Sequence, residues 1–195
     1  MTAKAPHIVD LGSDHSGNLR LEGKVLKTKL TGEGQSRICE VTLNLRLVNN
    51  GKSPIIVLRG RYEEKWWLLS TRLMQSQNVL YNSGVGPGYS AMLPEWAQLR
   101  KALDIDDPPS KLTVIIPPGG SFAFERETFF PVSALANHAG EVTLSVSFEM
   151  WPFNIETDSE KLSFGERLRH KWESKGTLQL EPLTSEPIGL DATVP

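Results

Sequence analysis

Nine residues near the first quarter of the chain constrain its fold more than any other stretch. From Cys39 to Leu47 the side chains alternate strictly between apolar and polar. A period of two is typical of a β-strand with one buried face and one face in solvent. The apolar members are Cys39, Val41, Leu43, Leu45 and Leu47, and the polar members are Glu40, Thr42, Asn44 and Arg46. This segment predicts a sheet protein.

The residues that follow predict a turn and a second strand. Residues 49–52 read Asn-Asn-Gly-Lys, and Asn and Gly tolerate the positive φ of tight hairpin turns. Pro54 suits the start of a strand, and the apolar run Ile55–Leu58 follows it. We therefore expect residues 38–61 to form a β-hairpin. Cys39 is interpreted as a small buried side chain on its inner face rather than as a nucleophile.

Other alternating or apolar runs supply further candidate strands, and the fold is expected to hold seven to nine short strands. Candidate strands cover residues 18–30, 64–70, 78–81, 112–116, 121–126, 142–149, 167–173 and 177–181, with glycine-rich or proline-rich turns such as 117–120 between them. The first candidate changes phase at residues 22–23, which predicts a bulge in an edge strand. Residues 94–103 switch to a three- and four-residue spacing and predict one short amphipathic helix that plugs an open end of the fold.

This order of elements predicts an all-β, antiparallel sandwich. A length of 195 residues suits a single domain. We expect an N-terminal arm over residues 1–17, one β-sandwich domain over 18–183, and a frayed C-terminal tail over 184–195.

Composition excludes several function classes. The formal net charge of −2 carries no basic signature for nucleic acid. The single cysteine excludes an intramolecular disulfide, and no stretch approaches the roughly 20 apolar residues of a membrane span. The first residues lack the pattern of a signal peptide, so a cytoplasmic location is expected. The four histidines lie far apart and no nucleophile motif is present, which predicts neither enzyme activity, nor a metal site, nor a cofactor.

Four segments carry a resemblance to a known fold family. VTLNLRLVNNGKSPI, IPPGGSFAFE, GEVTLSVSFE and KWESKGTLQL resemble consecutive blocks of bacterial immunoglobulin-like sandwich domains. The resemblance implies an immunoglobulin-like β-sandwich with an adhesive or scaffolding role, and it transfers no site residues. The antibody-type hallmarks are missing, because no second cysteine exists and no tryptophan stands at the expected distance after Cys39.

A second resemblance is confined to a short string. Residues 12–17, GSDHSG, resemble a segment of bacterial-type ribose-phosphate isomerases, and residues 84–90 are loosely similar to the glycine-rich phosphate loop of that family. It implies Asp14 and His15 as an acid/base pair beside a sugar phosphate. That family has a parallel α/β fold, whose strand-helix alternation this chain lacks. A sugar-phosphate isomerase is therefore the remote alternative.

Aromatic and charged side chains supply the remaining candidates. Most of the five tryptophans are expected to cap the core, and the candidate binding residues are Trp67, Tyr89, Trp151 and Phe153. The cations of residues 167–175 are interpreted as a solvated strand face, and the aspartates of 104–107 as a helix-ending loop. The preferred function is a non-catalytic interaction or scaffolding module that binds another protein, or itself, through a sheet edge. The alternative is glycan binding by the exposed aromatics.

Overall fold

The structure, a computed structural model, describes residues 18–59, 68–85, 93–136, 142–149 and 163–190. Most of these residues lie in strands: β1 (Leu19–Thr31), β2 (Ile38–Asn49), β3 (Ile55–Leu58), β4 (Leu68–Gln75), β5 (Asn78–Val85), β6 (Thr113–Ile116), β7 (Ser121–Pro131), β8 (Val142–Glu149), β9 (Thr177–Leu178), β10 (Leu183–Thr184) and β11 (Ile188–Leu190). The helices are α1 (Leu93–Leu103), α2 (Ser133–Ala136) and α3 (Phe164–Lys171). A mostly β protein is confirmed, but the described ranges hold eleven strands where seven to nine were predicted, and three α-helices where one was predicted.

The described strands form three sheets. The first sheet has the order β1-β2-β7, the second has the order β10-β8-β4-β5 with β11 also paired to β8, and the third has the order β6-β3-β9. Among the described strands every pairing is antiparallel except that of β3 with β9. The antiparallel character agrees with the predicted all-β class.

The alternation of two long strands is confirmed. The predicted inward residues of β2 and β8 are at most 4% exposed: Cys39, Val41, Leu43, Leu45, Leu47, Val142, Leu144, Val146 and Phe148. They belong to one hydrophobic core. Burying a Val, Leu or Phe side chain stabilises the fold by about 1.5–3 kcal/mol. A shift of the strand register by one residue would turn all of these side chains to solvent and lose that stabilisation.

The predicted hairpin of β2 and β3 is wrong, although both strands exist. β2 pairs with β1 and β7, whereas β3 pairs with β6 and β9, so the chain crosses from the first sheet to the third. Asn49 organises this crossing. Its buried side chain accepts a hydrogen bond from the Gly51 N–H and donates to the carbonyl oxygens of Ser53 and Ile116. Gly51 does not adopt the positive φ of a tight hairpin turn.

The predicted turn at residues 117–120 carries the chain back, from β6 in the third sheet to β7 in the first. Gly119 has a φ of +70°, which favours glycine there. Its N–H donates to the Asn49 carbonyl at 2.9 Å, and the Asn49 N–H donates to the Gly120 carbonyl at 3.0 Å. The two crossings are therefore tied together by one asparagine.

Among the described strands β1 lies at an edge of the first sheet, as predicted, but its bulge lies elsewhere. The register with β2 shifts at Leu26 and not at residues 22–23. Gly23 stays in register opposite Leu45, and its missing Cβ leaves room for the side chain of Ile188 on β11. The close packing of β1 on β11 accounts for glycine at this position.

Several boundaries differ from the prediction in length. β4 and β5 correspond to the candidates at 64–70 and 78–81, but they continue to Gln75 and Val85. α1 agrees with the predicted helix within one residue. β7 extends to Pro131, beyond the predicted limit at residue 126, and α2 follows it.

The strand predicted over residues 167–173 is wrong, because α3 occupies most of that stretch. Ser163 caps the helix: its hydroxyl accepts from the Glu166 N–H at 3.3 Å, and the Glu166 carboxylate accepts from the Ser163 N–H at 3.2 Å. This capping box satisfies two N-terminal backbone donors. Phe164, Leu168 and Trp172, spaced four apart, are all buried, so the helical period prevails over the alternating one.

The predicted frayed tail is wrong up to Leu190. β10 and β11 both pair with β8, and Ile188 lies opposite Leu144. Their apolar side chains Leu183, Ile188 and Leu190 are buried in the core. The predicted arm over residues 1–17 lies outside the described residues, and the predicted domain limits stay a prediction.

Candidate functional site

The first sheet turns one face to the core and the other, here called the outer face, to solvent. Strand register places its side chains in rows that run from β1 across β2 to β7. In order along the strands, the four middle rows are Glu22–Arg46–Ala123, Lys24–Asn44–Glu125, Lys27–Thr42–Glu127 and Lys29–Glu40–Phe129. The outer face is therefore a largely polar surface whose layout follows from strand pairing.

The two central rows keep opposite charges apart. Lys24 and Lys27 stand on β1, Glu125 and Glu127 stand on β7, and all four side chains are exposed. A neutral β2 residue separates the charges of each row, whose ends lie roughly 10 Å apart at a strand spacing of about 4.8 Å. None of the four forms an ion pair with another described residue. The outer face thus has a basic side and an acidic side.

In the row Glu22–Arg46–Ala123, the charged side chains form ion pairs within the chain. Glu22 lies 2.7 Å from the Arg46 Nη2 atom and 2.9 Å from the Arg20 Nη2 atom. Hydrogen bonding from Arg46 holds the pKa of Glu22 below its ordinary value. These charges are already satisfied within the chain.

The row Lys29–Glu40–Phe129 borders a groove. Lys29 Nζ lies 3.8 Å from Glu40 Oε2, and the Thr31 hydroxyl donates to Glu40 Oε1 at 3.0 Å. Phe129 is 47% exposed beside them. The groove has a volume of about 330 Å³ and is lined by Lys27, Lys29, Ile38, Glu40, Val41, Thr42, Glu127, Thr128 and Phe129. An exposed aromatic ring among charged groups is typical of an anchor for a protein partner.

A second charged surface, here called the latch, joins the loop after α1 to the end of α3. Lys171 Nζ lies 3.0 Å from Asp104 and 3.5 Å from Asp106, and Lys175 Nζ lies 2.9 Å from Asp107. The hydrogen bond with Asp104 raises the pKa of Lys171. The predicted solvated strand face and the predicted solvated loop are therefore two halves of one contact.

Two further contacts support the latch, one between its two halves and one with the segment that follows α3. Trp172 is fully buried, and its Nε1–H donates to the Ile105 carbonyl at 2.9 Å. Arg169 donates to the Leu178 carbonyl at 3.0 Å and to Glu181 Oε1 at 2.7 Å. Burial raises the pKa of Glu181, but the hydrogen bond from Arg169 and those from backbone N–H groups outweigh it and leave this pKa below its ordinary value.

The predicted binding residues Trp67, Tyr89, Trp151 and Phe153 lie outside the described residues, and so do Asp14 and His15. The structure therefore neither brings them together nor separates them. The mostly antiparallel sheets of the described part differ from the parallel α/β fold that the isomerase resemblance implies.

The described strand ends nearest to three of these aromatics do meet. Leu68 directly follows Trp67 and pairs with Glu149, two residues before Trp151. The neighbouring pair joins Leu69 to Val85, at the end of β5 that leads toward residue 89. These three strand ends lie at one end of the second sheet.

Cys39 is the buried small side chain that was predicted. It has no exposed surface, and burial, with a smaller contribution from the charge of Glu40, raises the pKa of its thiol. This environment disfavours a nucleophilic thiolate. In the described ranges there is no group of three His, Cys, Asp or Glu side chains that could hold a metal ion. The helices within those ranges are too short or too polar to cross a membrane.

Comparisons with models of protein families, with curated proteins and with solved structures find no match for this chain.

The outer face is the surface that sequence reasoning missed. The alternation of β2 already assigns Thr42 and Asn44 to solvent, but it does not say which residues of other strands lie beside them. That information resides in the pairing of β2 with β1 and β7, which are separated by some ninety residues along the chain. The regular lysines of β1 and the glutamates of β7 were the available signal.

Proposed function

We propose that this chain is a non-catalytic protein-interaction module on an immunoglobulin-like β-sandwich. The observation that carries the proposal is the pair of central rows on the outer face, with exposed lysines on one side and exposed glutamates on the other. Exposed charges without partners contribute little to folding, whereas charges in a fixed array direct association with a complementary surface. The arrangement suits binding more than chemistry.

Packing across the core supports the sandwich arrangement. Gly23 of β1 packs on Ile188 of β11, so the first sheet lies against the second. On the other side of the same sheets, Tyr81 of β5 meets Phe130 of β7 edge to face with ring centroids 5.9 Å apart. Two sheets that share one interior are the basis of this fold class. That the strands follow the immunoglobulin-like order is part of the proposal.

The sheet edges differ in their suitability for a partner strand. The edge strand β1 carries Lys24, Lys27 and Lys29 and a bulge at Leu26, features that discourage pairing with another strand. β5, which lies at an edge of the second sheet as far as the described strands show, has eight residues and no charged side chain. Of these two edges, β5 is therefore the better candidate for the edge binding that the sequence predicts, and the outer face of the first sheet offers a separate contact surface.

Site-specific photo-crosslinking in cells that produce the protein tests this function. A photoreactive phenylalanine analogue replaces Phe129 on the outer face, Val79 on β5 or, as a control of similar exposure, Ile105 in the latch loop. We expect a discrete protein adduct at Phe129 and none at Ile105. An adduct at Val79 alone would move the contact to the β5 edge. If no position yields a protein adduct, the proposed function is wrong.

Glycan binding is the second candidate, and one observation favours it. The strand ends next to Trp67, Tyr89 and Trp151 come together at one end of the second sheet. Aromatic side chains from neighbouring strand ends are a common platform for a sugar ring. Binding on a glycan array with quenching of tryptophan fluorescence, lost in Trp151→Ala, supports this candidate. An array without any signal removes it.

A further inference from the structure

We propose that the outer face binds the outer face of a second copy of this chain, about a twofold axis that runs nearly along β2. This proposal rests on the proposed function as an interaction module, and it identifies the binding partner as a second copy of the chain. It differs from pairing at a sheet edge, because the contact joins two faces.

The charge layout fits this symmetry. When one copy is rotated by 180° about an axis along β2, its β1 comes to lie over β7 of the other copy. Lys24 of one copy then faces Glu125 of the other, and Lys27 faces Glu127. Packed sheets lie about 10 Å apart, a gap that a lysine and a glutamate span together. An isologous contact repeats each pair, so four ion pairs form at once.

The alternative twofold axis, across the strands, is excluded by repulsion. It places β1 over β1 and β7 over β7, so lysines meet lysines and glutamates meet glutamates. Like charges brought together across an interface are strongly unfavourable. The outer face therefore specifies one orientation of its copy.

The middle of the outer face is compatible with the same axis. Asn44 and Thr42 lie on it and meet their own copies as neutral hydrogen-bonding groups. The charged β2 residues Glu40 and Arg46 also lie near the axis, but Lys29 and Glu22 of the same chain neutralise them.

The exposed aromatic ring gains a partner in this arrangement. Lys29 and Phe129 end the same row, so the rotation brings Lys29 of one copy over the ring of Phe129 of the other. A lysine above an aromatic face adds a cation–π attraction, and its aliphatic stem covers apolar surface. The 47% of Phe129 that is exposed in the single chain becomes part of the contact.

The size of the outer face predicts a weak dimer. Three strands of eleven to thirteen residues give a face of roughly 500–600 Å² per copy at ordinary strand dimensions. About 1,000–1,200 Å² in total is at the low end of specific interfaces. We expect dimerisation that depends on protein concentration and weakens as salt screens the ion pairs.

Charge swapping tests the proposal by sedimentation velocity over a concentration series at low ionic strength. The wild-type chain should dimerise. The double variant K24E/K27E, with two acidic sides, and the double variant E125K/E127K, with two basic sides, should each dimerise at least about tenfold more weakly. An equimolar mixture of the two variants should form a heterodimer, and the fourfold variant should dimerise as the wild type does. Circular dichroism and thermal melts confirm that each variant folds.

The mixture distinguishes the loss of this contact from damaged folding and from the loss of a contact elsewhere on the surface. Variants with damaged folding would not associate when they are mixed. Variants that had lost a contact elsewhere would not associate either, because mixing restores opposite charges only on the outer face. A wild-type chain that stays monomeric throughout the series, or variants that dimerise as well as the wild type, would overturn the proposal. If the chain stays monomeric while Phe129 still crosslinks to a different protein, the self-contact fails and the proposed function stands.

Discussion

The outer face and the latch carry the same kinds of charged side chains and use them in opposite ways. In the latch, Lys171 and Lys175 each lie within hydrogen-bonding distance of an aspartate that is more than sixty residues away in sequence. On the outer face, Lys24 and Lys27 have no such partner among the described residues. Residue type alone therefore does not decide whether a charge serves the fold. Position relative to other segments decides it.

The latch also depends on more than its ion pairs. Exposed ion pairs contribute about 0.2–1 kcal/mol each, whereas a buried tryptophan contributes several times as much. Trp172 lies between the two ion-pairing lysines of the latch and is fully buried. The aspartate–lysine pairs thus align the latch, whereas most of its stabilising free energy comes from the buried Trp172. The outer face has no buried anchor of this kind among its described side chains.

The largest difference between the two surfaces is expected on truncation of Trp172. Trp172→Ala removes a buried ring and the hydrogen bond to the Ile105 carbonyl. We expect the free energy of unfolding to fall by about 3–5 kcal/mol. Thr42→Ala, at the centre of the outer face, should change it by less than about 0.5 kcal/mol. Urea unfolding monitored by far-UV circular dichroism measures both.

A conservative variant separates packing from the hydrogen bond. Trp172→Phe keeps most of the ring and loses the indole N–H, so it should cost about 1–2 kcal/mol. If Trp172→Ala and Thr42→Ala destabilise the protein equally, the latch has no anchor and does not differ from the outer face in this respect.

The contrast between these surfaces also explains how much the sequence could predict. Residues 39–47 and Val142–Glu149 were assigned correctly because one face of each strand is buried, and burial imposes a period of two that a single sequence displays. Residues 167–173 satisfy both a strand and a helix period. The deciding feature was the Ser163–Glu166 capping box just before them, a signal that reasoning from periodicity alone ignores.

Long-range pairing was the part that the sequence could not show. The segment around Asn49 looks like a hairpin turn, yet its side chain binds the carbonyl of Ile116, sixty-seven residues away, and joins two sheets. The candidate site has the same origin. Lys27 and Glu127 were visible as charges, but only the pairing of both strands with β2 places them in one row.

The capping box of α3 supplies the second test. Ser163→Ala removes the cap that holds the first turn of the helix, and such losses cost about 1 kcal/mol. Ser121→Ala, a matched change at an exposed position of β7, should leave the free energy of unfolding within about 0.5 kcal/mol of the wild type. Chemical denaturation of both variants measures the difference. Equal effects would mean that the cap does not stabilise α3.

Acid should weaken the contact of Arg169 with Glu181, which supports the latch. The folded-state pKa of Glu181 is below its ordinary value, so this carboxylate stabilises the fold above the unfolded-state pKa of about 4.3. That stabilisation is lost as the pH falls from there through the folded-state pKa. Because Glu181 is partly exposed, solvent screening limits the effect to about 1 kcal/mol or less.

Stability curves from pH 7 to acid pH measure this contribution. Glu181→Gln should lower the free energy of unfolding at neutral pH and make the acid limb shallower. Glu125→Gln, the same chemical change on the outer face, removes a carboxylate that forms no ion pair with a described residue, so it should change the free energy of unfolding at neutral pH by less than about 0.5 kcal/mol. A steeper acid limb in Glu181→Gln would contradict the direction assigned to this pKa.

The smallest expected difference between the latch and the outer face is seen on removal of a single lysine, and its measurement requires two salt concentrations. Lys175→Ala removes the ion pair with Asp107 and should lower the free energy of unfolding by a few tenths of a kcal/mol at low salt, a loss that shrinks at high salt. Lys27→Ala removes a charge without a described partner from a strand that also carries Lys24 and Lys29, so it should produce no loss at either salt concentration. The measurements belong at low protein concentration, since self-association would add a linked stabilisation to the wild type alone. A salt-sensitive loss in Lys27→Ala under these conditions would show that the outer face pairs its charges within one chain, and the distinction between the two surfaces would disappear.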